Sequence, residues 1–233
     1  MSSDYRPLTR RNFLYLSASV PLVLSRAAAA APPAGSVGPA AMPRTIDVLR
    51  RAFRIETVAH RHYVPFARQA LAENLPNIAY LFQAFGVSES QHAENYRAVL
   101  ARLGTKIVYA KVNVVVGDTG ENLRVAAARE LEKIRSVYPL LLTELERERH
   151  EDAIVNAMYS LKSHQQHEDQ VTQIDRYAGM FFGTVADEIE GHVLDFHVCR
   201  VCGSTINMAP TGPCVICNRS SRNYVRVERP TAA

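Results

Sequence analysis

Cysteine is absent from the first 198 residues of this chain, and all four cysteines fall within the last 35. A disulfide framework spread over the whole chain is therefore excluded, and the cysteines must serve one short segment. With 233 residues, of which 47% are hydrophobic, the chain is long enough to bury a substantial core. It has room for one medium domain and one small domain.

Net positive charge is small outside the N-terminus. The formal net charge is +4, but residues 1–31 hold four arginines and one aspartate, a balance of +3, which leaves about +1 for the remainder. No basic stripe with interleaved aromatic residues is left, so nucleic acid is not expected as a partner.

Long apolar runs are also missing. The N-terminal run at 13–24 has 12 residues, which is too short to cross a bilayer of about 30 Å. It follows Arg10 and Arg11 in the sequence Leu-Thr-Arg-Arg-Asn-Phe and precedes an alanine tract, which is typical of a twin-arginine export signal. A disordered basic tail is the alternative. We therefore expect a signal peptide at 1–31, a linker at 32–43 and a periplasmic mature protein with no stable membrane span.

The central motif is Glu89-Ser-Gln-His92, inside a segment at 76–103 that reads as one long amphipathic helix. At about 3.6 residues per turn, a spacing of three places both side chains on the same face. A carboxylate and an imidazole pointing together into a bundle suit a buried metal, because an uncompensated carboxylate there is costly to desolvate. Taken alone, the motif fits a solvated helix face better than a ligand pair.

The rest of the chain repeats this pattern of ligand residues. Glu56 lies 33 residues before Glu89, and Glu130 lies 34 residues before His164, which begins His164-Gln-Gln-His167. Such self-similarity indicates two related helical hairpins. A carboxylate bundle that holds two irons draws one Glu from each of two helices and Glu-x-x-His from each of the other two, and only position 164 breaks this pattern. The candidate catalytic and metal-binding residues are Glu56, Glu89, His92, Glu130, His164 and His167.

The predicted fold class is all-α: a ferritin-like four-helix bundle over residues 44–185 with one long crossover. The expected helices are at 45–74, 76–103, 121–149 and 152–178. Thr45 and Thr119 are predicted to cap the first and third helices. Residues 105–120 are rich in β-branched side chains and lack a helical period, which indicates the crossover between two hairpins. Gly179 and Gly183 favour an end of the bundle near 185.

The cysteines form two Cys-x-x-Cys knuckles separated by 11 residues: Cys199 with Cys202, and Cys214 with Cys217. This spacing is a strong signal for tetrahedral binding of a metal by four thiolates. Gly203 and Asn218 follow the knuckles, where a left-handed backbone would turn amides toward the sulfurs. Iron and zinc both suit four thiolates, and two disulfides are the alternative. The segment 196–229 is therefore predicted to be a small four-cysteine domain.

Over residues 45–229 these features resemble the rubrerythrin family, in which a ferritin-like diiron bundle precedes a rubredoxin-like iron domain. The most specific similarities are Glu56-Thr-Val-Ala-His-Arg-His-Tyr63, the helix around Glu89 and His92, the end of the crossover at 115–123, the Tyr138-Pro139 step and the knuckles. The resemblance implies reduction of hydrogen peroxide at two irons. It further implies that electrons come from an unidentified donor through iron on the four cysteines, and that subunits pair head to tail as a homodimer. Zinc on the four cysteines remains the alternative to iron.

Carried over by resemblance, the matching ligands are Glu56, Glu89, His92, Glu130 and His167, with Glu89 and Glu130 as bridging carboxylates. Two positions depart from the family: His164 and Lys133 both stand where the family has glutamate. Three carboxylates carry −3 against the +4 of two ferrous ions, so the binding of a second metal ion should be weakened. The positive charge of Lys133, if near, would weaken it further. We expect two irons or one metal only, with His164 still able to bind as neutral imidazole.

Polar residues near these motifs are interpreted as structural. His60 is expected to be exposed or to pack in the bundle, and Tyr63 and Tyr138 to be core aromatics with bonded hydroxyls. Glu190 is read as part of a solvated linker between the two domains.

The leading hypothesis is a periplasmic, peroxidase-type oxidoreductase related to rubrerythrin. The alternative is a non-catalytic metal-binding protein with a degenerate bundle site and a structural zinc ribbon. Val215 slightly favours this alternative, because rubredoxin-like second knuckles usually carry proline there. Ferrous iron oxidation and storage is a weaker option, since storage needs no thiolate relay.

The export hypothesis makes a direct prediction. Replacing Arg10 and Arg11 together by lysine should leave the protein uncleaved in the cytoplasm, because the twin-arginine pair is the recognised element. Cell fractionation with mass spectrometry of the N-terminus measures this. Mature periplasmic protein from the double variant would contradict the hypothesis.

Overall fold

The computed structural model describes residues 42–109, 111–178, 186, 187 and 189–231. The predicted signal peptide, almost all of the predicted linker, and Gly179 and Gly183 lie outside the described residues. The helices are α1 (Pro43–Ala72), α2 (Pro76–Arg102), α3 (Thr119–Glu132), α4 (Tyr138–Leu145) and α5 (Glu151–Ala178). The strands are β1 (Phe196–Cys199), β2 (Thr205–Asn207) and β3 (Tyr224–Arg226). The predicted class, a helical bundle followed by a small four-cysteine domain, is confirmed. No helix within the described residues is both long and apolar enough to span a membrane.

The third helix of the bundle is not the single uninterrupted helix predicted over 121–149. α3 and α4 are joined by one π-helical turn, Lys133–Val137. Pro139 at the start of α4 has no amide hydrogen, and its ring crowds the carbonyl of the preceding turn, so we attribute the widened turn to this residue. Lys133 is the first residue of this turn and its buried one.

Both predicted helix caps are wrong. Pro43, not Thr45, opens α1, because proline suits the first helical position, where an amide hydrogen is not needed. Asp118, not Thr119, caps α3: its carboxylate accepts from the amide of Glu121 at 2.7 Å, and the Glu121 carboxylate accepts from the amide of Asp118 at 3.3 Å. This reciprocal pair is a capping box, and it fixes where the crossover ends.

Glu190 is not a solvated linker residue, which corrects the prediction. Its carboxylate accepts hydrogen bonds from the amides of Asn77 and Ile78, with N–O distances of 2.9 and 3.0 Å. These are orphan amides of the first turn of α2, where negative charge is favourable. The segment that leads to the four-cysteine domain is thereby anchored to the bundle.

The three strands form an antiparallel sheet in the order β2-β1-β3, and this sheet packs on α2. Tyr80, fully buried on α2, accepts a hydrogen bond from the amide of Phe196 at 3.0 Å and donates one to the carbonyl of Val227 at 2.8 Å. The rings of Tyr80 and Phe196 also meet edge to face, with centroids 5.0 Å apart. The bundle and the sheet therefore share one apolar core.

The Tyr80 hydroxyl is predicted to hold the sheet on the bundle. Tyr80→Phe should lower the free energy of unfolding by about 1–3 kcal/mol, because a buried amide and a buried carbonyl lose their partner. Denaturant unfolding of protein with equal metal content measures this. Tyr109→Phe, whose side chain is 59% exposed, is the matched control and should change little. Equal effects of the two substitutions would refute the assignment.

Candidate metal centre

The structure brings all six candidate metal ligands together at the centre of the bundle, where each is at most 1% exposed. α1 and α3 each supply one glutamate, α2 supplies Glu89 and His92, and α5 supplies His164 and His167. Two overlapping groups have ligand atoms that all lie within 4.8 Å of one another. One group is Glu56, Glu89, His92 and His164, and the other is Glu89, Glu130, His164 and His167.

Lys133 enters the middle of this cluster. Its Nζ lies 3.3 Å from Glu56 Oε2, 3.0 Å from Glu89 Oε1 and 3.2 Å from Glu130 Oε1, and the residue is 4% exposed. Burial alone would lower its pKa, but the carboxylates, Glu130 foremost, raise it above the usual value. Lys133 is therefore an ammonium shared by three carboxylates from three helices.

The three carboxylates differ in their protonation. Burial raises the pKa of each, but the positive charges of Lys133 and His164 hold the pKa of Glu56 and Glu130 well below the usual value. Burial and the negative charge of Glu56 raise the pKa of Glu89. Of the three carboxyls, Glu89 is therefore the one whose surroundings most favour the protonated form.

Two tyrosines donate to the glutamates. The Tyr63 hydroxyl donates to Glu130 Oε1 at 2.8 Å, and the Tyr138 hydroxyl donates to Glu56 Oε1. Both residues are buried core aromatics with bonded hydroxyls, as the sequence predicts, but their partners are the candidate ligands themselves. Burial raises the pKa of both phenols, so they remain hydrogen-bond donors.

His164 bridges two carboxylates with its two ring nitrogens. Nδ1 lies 2.8 Å from Glu130 Oε2, and Nε2 lies 3.1 Å from Glu56 Oε1. Burial and Lys133 lower the pKa of His164, but the two carboxylates outweigh them and raise it overall. As an imidazolium it donates to both glutamates, and as a neutral imidazole it can bind a metal through one nitrogen.

His92 and His167 are oriented by the four-cysteine domain. His92 Nε2 lies 3.2 Å from the carbonyl oxygen of Cys202, which can only accept, so this nitrogen carries the hydrogen. His167 Nε2 lies 3.2 Å from Thr205 Oγ1, whose own hydroxyl donates to the carbonyl of Gly203 at 3.2 Å. Nε2 of His167 is therefore also the donor, and Nδ1 of both rings is left with a lone pair.

The Nδ1 atoms of His92 and His167 are placed to bind a transition metal. Within the described part of the chain, His167 Nδ1 is buried without a hydrogen-bond partner, yet it lies 3.4 Å from Glu130 Oε2. His92 Nδ1 faces Glu89 Oε2 at 3.2 Å. Burial lowers the pKa of His92 to about 3 and also lowers that of His167, so both rings are neutral near pH 7. Neutral imidazoles beside carboxylates are ligands for iron, manganese or zinc.

Gly203 is required by this arrangement. Its backbone is left-handed, with φ of 80°, and a Cβ at this position would lie 2.2 Å from His92 Nε2. The sequence predicts the left-handed turn after the first knuckle but not the close approach to His92. Asn218, after the second knuckle, is also left-handed, with φ of 55°.

The four cysteines form a separate metal site beside the bundle. Their Sγ atoms lie within 4.8 Å of one another, with Cys199 and Cys217 3.8 Å apart and Cys202 and Cys214 3.4 Å apart. Four sulfurs at about 2.3 Å from a tetrahedral metal lie roughly 3.8 Å apart. All four are free thiols, so the geometry favours a metal over two disulfides.

Other candidates lie outside the cluster. His60 Nδ1 is 2.7 Å from the carbonyl oxygen of Gly86, so this ring packs between α1 and α2. Sequence reasoning treated Lys133 only as a positive charge that would weaken a second metal if it lay near, and it missed the role of Thr205. The spacing of three from Glu130 was the available signal for Lys133, whereas nothing local marks Thr205.

Comparison with known proteins gives a consistent result. The model of the family described as Rubrerythrin matches residues 47–174. Rubrerythrin-2 of Clostridium acetobutylicum is 30% identical over 176 residues, which cover 74% of this chain and 91% of that protein. Rubrerythrin of Porphyromonas gingivalis is 32% identical over 105 residues, 45% of this chain and 52% of that protein.

Solved structures show the same fold. Nigerythrin in its fully reduced, all-ferrous state has a TM-score of 0.66 at 22% identity, covering 78% of this chain and 86% of that chain. A mycobacterial bacterioferritin has a TM-score of 0.58 at 17% identity, covering 63% of this chain and 92% of that chain. At these identities the likeness shows the ferritin-like fold of the bundle.

The hydrogen bond from His167 to Thr205 predicts a change in metal affinity. In Thr205→Val the imidazole ring of His167 loses the hydrogen-bond acceptor that fixes its tautomer. The affinity of the bundle for Co²⁺ should therefore fall about 10–100-fold. The Gly203 carbonyl keeps Ser88 and Ser163 as donors, at 2.7 and 3.0 Å, so it is not left unpaired.

The measurement is competition with a chromophoric chelator, on protein whose cysteines have first been filled with one equivalent of zinc. Thr211→Val, at an exposed position, is the matched control and should leave the affinity unchanged. An unchanged affinity in Thr205→Val would show that the hydrogen bond from His167 to Thr205 does not prepare His167 to bind the metal.

Proposed function

Because this chain belongs to the rubrerythrin family, whose members are diiron oxidoreductase-type proteins, we propose that it reduces hydrogen peroxide to water in its helical bundle. The observation that carries the proposal is the direct contact between two metal sites. His92, a candidate ligand in the bundle, donates a hydrogen bond to the backbone carbonyl of Cys202. The thiolate of Cys202 is a candidate ligand of the four-cysteine site. A bundle alone would serve iron storage equally well, whereas a coupled thiolate site suits electron delivery.

The proposed reaction needs two electrons and two protons for each peroxide. The O–O bond breaks, and each oxygen leaves as water. Ligands from the two overlapping groups described above would hold the iron. The bound iron would supply Lewis acidity and electrons. An external donor, whose identity is open, would return electrons through the four-cysteine site.

The chain itself supplies a dry, donor-rich surrounding for this chemistry. Lys133, Tyr63 and Tyr138 place one ammonium and two hydroxyls on the carboxylates, and all three residues are at most 4% exposed. In such a site these donors are electrostatically stronger than in water. They hold the carboxylates in position and keep transferable protons near the centre.

Further hydrogen bonds support the contact between the two sites. α2 holds the first knuckle at two further points: Asn95 Nδ2 donates to the carbonyl of Val201 at 2.9 Å, and Ser88 Oγ donates to that of Gly203 at 2.7 Å. An electron leaving the sulfur of Cys202 would need to cross only that residue's backbone and one hydrogen bond to reach His92. This proposed path would lie within one chain.

The setting we propose is the periplasm, reached by the twin-arginine route as a folded, metal-loaded protein. The support is the sequence pattern around Arg10 and Arg11, which lies outside the described residues. A homodimer, as the family resemblance implies, belongs to the same proposal.

A second candidate function is metal binding without catalysis, with zinc on the cysteines. The position of Lys133 among the carboxylates favours it, because the ammonium already neutralises part of the site. Colour separates the two candidates. Oxidised iron on four thiolates absorbs strongly in the visible range, whereas the zinc form is colourless.

The peroxidase proposal predicts that peroxide rapidly reoxidises the thiolate iron in iron-loaded, reduced protein, followed by stopped-flow absorbance. His167→Gln should slow this reaction by more than about 100-fold, because it removes a bundle ligand but leaves the cysteines intact.

The control is Glu94→Gln, which changes a carboxylate on the exposed face of α2, 51% exposed and paired with Arg97, and should react like the wild type. If the wild-type protein does not reoxidise, or if His167→Gln reacts at the wild-type rate, the peroxidase proposal fails.

A further inference from the structure

The Lys133 ammonium has the surroundings of a bound cation. Three carboxylate oxygens from α1, α2 and α3 face its Nζ at 3.0–3.3 Å. A metal ion in the same place would draw carboxylate oxygens of the same residues to about 2.0–2.2 Å. The side chain of Lys133 is 6% exposed, so the ammonium and a metal ion cannot share this space.

The charge of the cluster favours one divalent ion over two. Three glutamates carry −3 and Lys133 carries +1, so the protein contributes −2 when the histidines are neutral. One divalent ion brings the sum to zero. Two would leave +2 in a site whose glutamates and histidines are at most 1% exposed, and uncompensated buried charge is strongly destabilising.

We propose that Lys133 takes the place of one metal of a two-metal centre, so that the bundle of this protein binds a single divalent transition-metal ion. The ligands of that ion are Glu89, Glu130, His164 and His167. Glu56 then serves as the counter-ion of Lys133.

The separations of the ligand atoms support this group. The distances from His164 Nδ1 and His167 Nδ1 to Glu130 Oε2 are 2.8 and 3.4 Å, and those to Glu89 Oε1 are 3.6 and 3.8 Å. Ligand atoms about 2.1 Å from one metal lie roughly 3–3.5 Å apart, so small movements would suffice. The group also contains the unpartnered, buried Nδ1 of His167.

The competing group depends on Glu56, whose oxygens are already used. Oε2 accepts from Lys133, and Oε1 accepts from the Tyr138 hydroxyl and faces His164 Nε2 at 3.1 Å. Glu89 and Glu130, by contrast, each contact Lys133 and border the proposed metal position. They bridge the ammonium and the metal as they would bridge two metals.

The test counts metal and does not depend on peroxide turnover, so it stands apart from the proposed function. Wild-type protein and Lys133→Glu are loaded anaerobically with excess Fe²⁺, freed of unbound iron and analysed by elemental analysis. The wild type should hold two irons per chain, one on the cysteines and one in the bundle. Lys133→Glu should hold three, and partial oxidation should give the electron paramagnetic resonance signal of a coupled, mixed-valent pair.

Lys162→Glu makes the same change of charge at an exposed position of α5 and should stay at two irons. The proposal is overturned by three irons in the wild type, by an empty bundle, or by folded Lys133→Glu that stays at two. Should Lys133→Glu not fold, anomalous diffraction from iron-loaded wild-type crystals decides. One bundle peak beside His167 supports the proposal, and two peaks, or one at the Lys133 position, overturn it.

Discussion

The structure depends on the neutralisation of three carboxylates that are buried in the middle of a helical bundle. An unpaired buried carboxylate costs several kcal/mol, more than a helix pair gains from a few apolar contacts. Here Lys133 contacts all three, His164 bridges Glu56 and Glu130, and two tyrosine hydroxyls complete the set. Lys133 and His164 therefore supply positive charge at the centre of the bundle, where the buried carboxylates need it.

The four-cysteine domain completes the bundle site. Cys202 and Thr205 fix the hydrogens of His92 and His167 on Nε2, and Gly203 leaves the space that the His92 ring occupies. Glu190 and Tyr80 anchor the same domain to α2. Two of the candidate bundle ligands are therefore joined to the four-cysteine domain by single hydrogen bonds.

Two spacings in the sequence predict the convergence of the six ligands. Glu89 and His92 share a helix face at a separation of three, and the 33- and 34-residue repeats place the second hairpin opposite the first. The caps at Asp118 and Glu190 were missed for different reasons. Asp118 is a local signal in competition with Thr119, whereas Glu190 acts across more than 110 residues of chain. The Lys133 contacts required the packed side chains, because a sequence can place a lysine on a face but cannot show that three carboxylates enclose it.

The exchange of a carboxylate for an ammonium has a simple electrostatic meaning. At position 133, where the family resemblance implies glutamate, lysine adds two positive charges, which is the charge of one divalent ion. With lysine at position 133, the net charge of the site is therefore the same with one divalent ion as it would be with glutamate and two. Peroxide still requires two electrons, and one ferrous ion gives one when it becomes ferric. If the single bundle iron cycles between ferrous and ferric, the thiolate iron would supply the second electron. The contact from Cys202 to His92, and from His92 Nδ1 on to the proposed ligand Glu89 at 3.2 Å, would then link the two sites.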